Sequence, residues 1–320
     1  MKYNVAILGL GALGKRHLSS ILNSKLAMDI YCYDINECAM EGFCWDNKFA
    51  NKKINIINTL MHLPEKIDFA LFAMTSNSRR EMFDKVISCC EVKNILFEKV
   101  LFQSVGDYTH VRDTIKNLGI NAWVNCSRRQ MESYQSLKKE LAGATEMQIS
   151  ISGGEWGLAC NVIHELDIIE FLSGSDATVV NKMELLPVIV DSKRKGFKEI
   201  FGTISGNSGK KCMFSITCMK DTQVPLVMTI STDIGQYIIF ESEQKMIFLT
   251  KVNDYEMREV DFVIPYQSQM TQFVIEDILL RHKSRLTEFE DSSRLHLKII
   301  KPFLQFFREN GMETELCPIT

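Results

Sequence analysis

The chain has 320 residues, 46% of them apolar and 24% charged, enough for about two domains that each bury their own core. Its 37 basic and 40 acidic side chains leave a net charge of −3 with no basic block, so nucleic-acid and membrane-surface roles have no electrostatic support. Ten cysteines are scattered without a C-x-x-C pair, the pattern of reduced thiols in a cytoplasmic protein, with no disulfide frame and no metal site.

Near the start, Val5–Gly9 is a short apolar run that enters glycines, which predicts a strand in place of a signal peptide. A helix follows over Gly11–Asn23, with Leu13, Leu18, Ile21 and Leu22 on its apolar side. Further strands are expected at Ile30–Asp34, Ile54–Ile57, Asp68–Met74, Asn94–Glu98 and Ala122–Val124, separated by helical stretches such as Arg79–Cys90. Continuous apolar strands between amphipathic helices predict a doubly wound parallel sheet, covered on both faces, over residues 1–122.

Beyond that point the pattern changes. A helix near Met131–Leu141, an alternating strand at Glu146–Ser152 and a strong helix at Asn161–Leu172 lead into many short strands. These include Lys211–Cys218, Leu226–Ser231, Tyr237–Glu241 and Lys245–Leu249, with turn clusters such as 205–209 between them. They predict an α+β domain over 123–320 with a largely antiparallel sheet. Helices near Ser268–His282 and Glu290–Asn310 close the chain; Pro302 is expected to break the second, and the last helix can pack back on the first domain. No segment approaches the roughly 20 apolar residues of a membrane span.

The sharpest local signal is G-L-G-A-L-G, Gly9 to Gly14, between the first strand and the first helix. Gly9 permits a tight turn, Gly11 lets backbone approach a pyrophosphate, and Gly14 lets helix and strand pack closely. Around Ala12 and Leu13 the helix N-terminus offers free N–H groups and a partial positive charge to phosphates. Asp34 ends the next strand, where a carboxylate accepts both ribose hydroxyls and repels a 2′-phosphate. No arginine immediately follows it, so NAD is favoured over NADP.

In order, G-L-G-A-L-G-K-R-H, A-M-T-S-N (73–77), F-E-K (97–99) and H-E-L-D (164–167) resemble the glucose–fructose oxidoreductase / inositol dehydrogenase (Gfo/Idh/MocA) family. The resemblance spans most of the chain and is most specific in its first half. It implies a Rossmann domain joined to an α/β domain whose open sheet forms a homo-oligomer interface. It also implies NAD(P)-dependent oxidation or reduction of a small, sugar-like substrate, at a sugar, cyclitol or nucleotide-sugar carbon. Thr75, Asn77, Glu98 and Lys99 are then cofactor contacts, and Lys99 and His164 the catalytic pair.

The chemistry suits those types. A lysine at the carboxyl edge of a parallel sheet can bond the reacting oxygen and help move its proton, and a histidine can relay it. Arg128 and Arg129 resemble the family's Asn-Arg-Arg segment, where guanidinium groups bind a carboxylate or diphosphate. With Asn161, His164 and Asp167 they make up the expected substrate contacts. There are departures. Val100 replaces the proline of the family's Glu-Lys-Pro, and Cys160 replaces an aspartate four residues before the histidine, on a stripe with His164 and Asp167. Ser76 and Arg80 stand where the family often has proline and histidine. The H-E-L-D variant is similar to members from surface-polysaccharide sugar pathways. Two other readings stay open: an NAD-using glycoside hydrolase, and a non-catalytic NAD-binding regulator.

Overall fold

Val5, Ala6, Ile7 and Leu8 are each fully buried, as a strand covered by helices on both faces must be. They belong to a computed structural model that describes residues 2–41 and 51–320. The chain forms two compact units: Met1–Asn125 with Pro265–Ser293 and Thr320, and Cys126–Ile264 with Arg294–Ile319.

In the first unit β1 (Tyr3–Leu8), α1 (Ala12–Leu22), β2 (Met28–Tyr33) and β3 (Lys52–Ile57) are followed by β4 (Lys66–Ile67) and β5 (Phe69–Phe72). Then come α2 (Ser76–Cys89), β6 (Glu91–Val92), β7 (Asn94–Phe97), α3 (Val105–Leu118) and β8 (Asn121–Val124). The main sheet runs β3-β2-β1-β5-β7-β8, all parallel. The chain fills one side of β1 and then crosses to the other. The carboxyl ends of β1 and β5 therefore flank the switch point at which open α/β sheets bind ligands.

The second unit opens with α4 (Glu132–Glu140), β9 (Met147–Gly154) and α5 (Leu158–Ser173). Seven strands follow: β10 (Thr178–Asp191), β11 (Lys198–Ser208), β12 (Cys212–Met219), β13 (Val227–Thr232), β14 (Gly235–Phe240), β15 (Lys245–Thr250) and β16 (Arg258–Asp261). Their order is β10-β11-β12-β9-β13-β14-β15-β16, antiparallel throughout except for β9 beside β12. β9 alternates buried and exposed residues, one face against α5 and the other uncovered within the unit.

Two late elements complete the first unit. Helix α6 (Gln267–Arg281) buries Val274, Ile275 and Ile278 in the cluster that holds Leu18 and Ile21 of α1. β17 (Thr287–Glu288) adds an antiparallel edge to β8. The last helix, α7 (Phe289–Glu309), runs unbroken through Pro302. An interior proline costs about 3 kcal/mol. Burying Leu295, Ile299, Phe303 and Phe307 to 0% exposure outweighs that, at about 1.5–3 kcal/mol per side chain. Among the described residues no helix is long and apolar enough to cross a membrane.

Candidate cofactor and catalytic site

The glycine turn has the geometry its spacing requires. Gly9 has φ +91°, and a Cβ there would lie 2.7 Å from the Met74 nitrogen beyond β5. At Gly14 a Cβ would lie 1.9 Å from the Gly9 carbonyl oxygen, so only glycine lets α1 start against β1. Gly11, the N-cap of α1, is different: a Cβ there meets nothing within 4 Å. That open space lies at the free N–H groups of the helix, next to Ala12 and Leu13, where a diphosphate would sit.

Asp34 follows β2 and accepts from two backbone donors, Leu10 N–H at 2.5 Å and Asn36 N–H at 2.8 Å. One carboxylate thus ties the glycine turn to the end of β2, and each oxygen keeps a lone pair for a hydroxyl. Beside it opens a cleft of about 310 Å³ lined by Leu10, Asp34, Asn36, Glu37, Ile56, Asn58 and His62 among others. Its walls combine apolar faces with amide, imidazole and carboxylate groups, a lining suited to a nucleoside. Cys32 also lines the cleft, and burial pushes its thiol up to about 12, so it is no nucleophile. The residues fit a dinucleotide.

Thr75 and Asn77 stand at the start of α2, where the Thr75 hydroxyl donates to Asn77 Oδ1 at 2.7 Å. Glu98 and Lys99 follow β7 at the same carboxyl edge. Glu98 is buried, accepts from Asn125 Nδ2 at 2.5 Å and from His17 Nε2 at 2.9 Å, and contacts the Lys99 N–H at 3.3 Å. Burial alone would raise its carboxyl pKa; the His17 and Asn125 hydrogen bonds outweigh burial and hold it below the ordinary value. Lys99 is half-buried, and the Lys99–Val100 peptide is cis.

Sequence reasoning missed Arg79. It is 1% exposed and donates to the carbonyls of Met74, Val100 and Leu101, joining the loop after β5 to the loop after β7. Arg80, the residue at the family's histidine position, pairs instead with Asp84 and Asp107 on the surface. Nothing local distinguishes the two arginines.

The other candidates lie in the second unit, on or against α5. Arg128 donates to both oxygens of Glu241, at 2.6 and 2.8 Å, and approaches Glu165 at 3.2 Å. Burial would lower its pKa, but the two glutamates outweigh it and raise the pKa well above the ordinary value. Arg129 donates to Asp167 Oδ2 at 2.7 Å and to its carbonyl at 3.1 Å. Asn161 Nδ2 donates to the Trp156 carbonyl at 3.0 Å, and both Asn161 and His164 are half-buried. Cys160 Sγ lies 3.9 Å from the Lys198 carbonyl and 4.0 Å from Ser192 Oγ at 6% exposure, packed within the second unit. Helical spacing tells which residues share a face, not what the face meets.

No protein-family model matches the chain and no curated protein matches it. Solved structures do. An oxidoreductase from Agrobacterium radiobacter in complex with NAD+, L-tartaric acid and magnesium is 16% identical, covering 93% of this chain and 94% of its own, with a TM-score of 0.70. UDP-N-acetylglucosamine 3-dehydrogenase GnnA from Acidithiobacillus ferrooxidans is 12% identical over 94% and 96%, with a TM-score of 0.69. A super-repressor mutant of Gal80p from Saccharomyces cerevisiae is 14% identical over 97% and 96%, with a TM-score of 0.71. The chain therefore has the two-domain fold of the Gfo/Idh/MocA oxidoreductases, as its motifs imply. The same fold carries dehydrogenases and a repressor, so function has to be argued from the site.

Proposed function

We propose that the protein is an NAD-dependent oxidoreductase acting on a hydroxyl or ketone of a sugar, cyclitol or nucleotide-linked sugar. The observation that carries this is the Gly9–Gly14 turn, with space at Gly11 and Asp34 at the end of the next strand. Gly11, Ala12 and Leu13 would hold the diphosphate, Asp34 the adenosine ribose, and Thr75, Asn77 and Glu98 the nicotinamide half. Bound nicotinamide supplies the site that accepts or gives a hydride.

The chain's own residues do the rest. Lys99 bonds the reacting oxygen and moves its proton, and His164 is the second proton-handling group, with Asn161 beside it for a substrate hydroxyl. Arg128, Arg129 and Asp167, whose charges are matched within the chain, position α5 for that task. The likeness to a nucleotide-sugar dehydrogenase supports this substrate class.

The test is analysis of the purified protein by mass spectrometry for retained nucleotide, followed by a panel of sugars, cyclitols and nucleotide sugars. Net NADH formation or consumption is expected. Glycoside cleavage without net NADH would instead favour a hydrolase, and NAD binding without turnover a regulator.

A further inference from the structure

Five polar side chains of the first unit close a hydrogen-bonded ring that includes Glu98, the residue that precedes Lys99. Asn125 Nδ2 donates to Glu98 Oε1 at 2.5 Å and to Gln267 Oε1 at 3.0 Å. Gln267 Nε2 donates to Thr271 Oγ1 at 2.9 Å. Thr271 Oγ1 lies 2.8 Å from His17 Nδ1, and His17 Nε2 lies 2.9 Å from Glu98 Oε1. A carboxylate only accepts, so His17 Nε2 carries the hydrogen whatever the state of Nδ1. Thr271 adapts: it donates to a bare Nδ1, or accepts from a protonated one and turns to the Gln267 carbonyl at 3.5 Å.

The members come from far apart in the chain. His17 is on α1, Glu98 follows β7, and Gln267 and Thr271 are on α6. Asn125 is the last residue before the chain leaves the first unit at Cys126, and Gln267 is two residues after it returns at Pro265. The outgoing passage is bonded directly to Glu98 Oε1 through Asn125, and the returning one is tied to it by way of Gln267 and Asn125. His17 and Thr271 are 0% exposed, Glu98 and Asn125 are 3% exposed, and Gln267 is half-buried, so the links at His17 and Glu98 are shielded from water.

We propose that this ring is a positioning device for Lys99, with His17 its central link. His17 and Asn125 hold Glu98 Oε1, which leaves Oε2 on the Lys99 N–H and keeps one fixed negative charge beside the lysine. The assignment rests on the oxidoreductase reading for the task of Lys99, but its test does not. A carboxylate held next to an ammonium favours the protonated form. Releasing it exposes more of the reactive free amine.

The experiment measures reductive methylation of Lys99 at pH 7 by peptide mass spectrometry, with exposed Lys66 as internal reference. Thr271→Val and His17→Leu should raise the Lys99 rate relative to Lys66 about threefold or more. His17→Gln, which keeps a donor where Nε2 stands, should return it toward the parental rate. Thr271→Val preserves shape, so the comparison survives if His17→Leu does not fold. Lys99 rates within a factor of two of the parent in Thr271→Val would overturn the proposal, as would a His17→Gln rate no lower than that of His17→Leu. NAD titration of the parental protein is read separately: failure to bind sinks the functional reading, whereas unchanged lysine rates sink the ring.

Discussion

Lys99 and Asp34 carry opposite kinds of prediction, because one is assigned to the chemical step and the other to cofactor choice. Lys99→Ala should keep NAD binding within a few-fold and lose about 10²–10⁴ in turnover, the usual cost of removing a general acid–base group. Parental turnover of the identified substrate by the alanine variant would refute that role. At Asp34 the charge decides. A 2′-phosphate would meet Asp34 and, in the same cleft, Glu37, with no arginine immediately after Asp34. Like-charge opposition costs several kcal/mol. Calorimetry should therefore show NAD bound at least about tenfold tighter than NADP, and equal affinities would place the ribose elsewhere. Both positions can be singled out in the sequence because their signals are local, and the roles given to them are what these variants test. Each ends a strand, and a strand end in a parallel sheet is a site position. Arg79 was not legible, because its partners are main-chain carbonyls, which leave no mark on residue type.

At the scale of elements, α5 is the case to argue. It is an apolar helix that nevertheless buries three acids, and each meets an arginine from another segment: Glu165 with Arg128, Asp167 with Arg129, Glu170 with Arg294. Removing one partner of a buried pair costs about 3–5 kcal/mol. Arg294 is a third exposed, so Arg294→Met should lower stability by less than that, about 2–3 kcal/mol in denaturant titration, and a change below about 1 kcal/mol would show the pair to be dispensable. The pH dependence has a definite sign. Burial raises the pKa of Glu241, but Arg128 outweighs it and holds it below the usual 4.5. Its contribution is therefore fully present above pH 4.5 and is lost as pH falls through the depressed value. The melting temperature of Glu241→Gln should approach that of the parent in acid and fall short of it at neutral pH. The helix itself was readable from its apolar run. The arginines that neutralise it were not, since pairing between distant segments is set by packing.

Over the whole molecule, the two fold classes were visible because their periodicities differ: continuous apolar strands with helices first, alternating strands later. What stayed hidden was the return of the chain. Met270, Val274 and Ile278 mark α6 as a helix with one buried face, yet nothing in that stripe says that the face meets α1 of the first unit. Pro302 misleads for a related reason, since the rule it obeys locally is overruled by the burial of α7. The resemblance also suggests that the uncovered face of the second sheet joins copies of the chain, and light scattering on the eluting protein should then report a dimer or larger; a monomer would leave that face unpaired. The central claim is that the glycine turn holds a dinucleotide, and Gly11→Ala tests it most directly. The new methyl meets nothing within 4 Å, and the backbone at φ −61° accepts alanine, so the melting temperature of the cofactor-free protein should stay within about a degree or two. NAD affinity, measured by calorimetry on the same samples, should fall at least about tenfold, because the methyl occupies the space left for the diphosphate. Unchanged affinity in the intact variant would contradict the account.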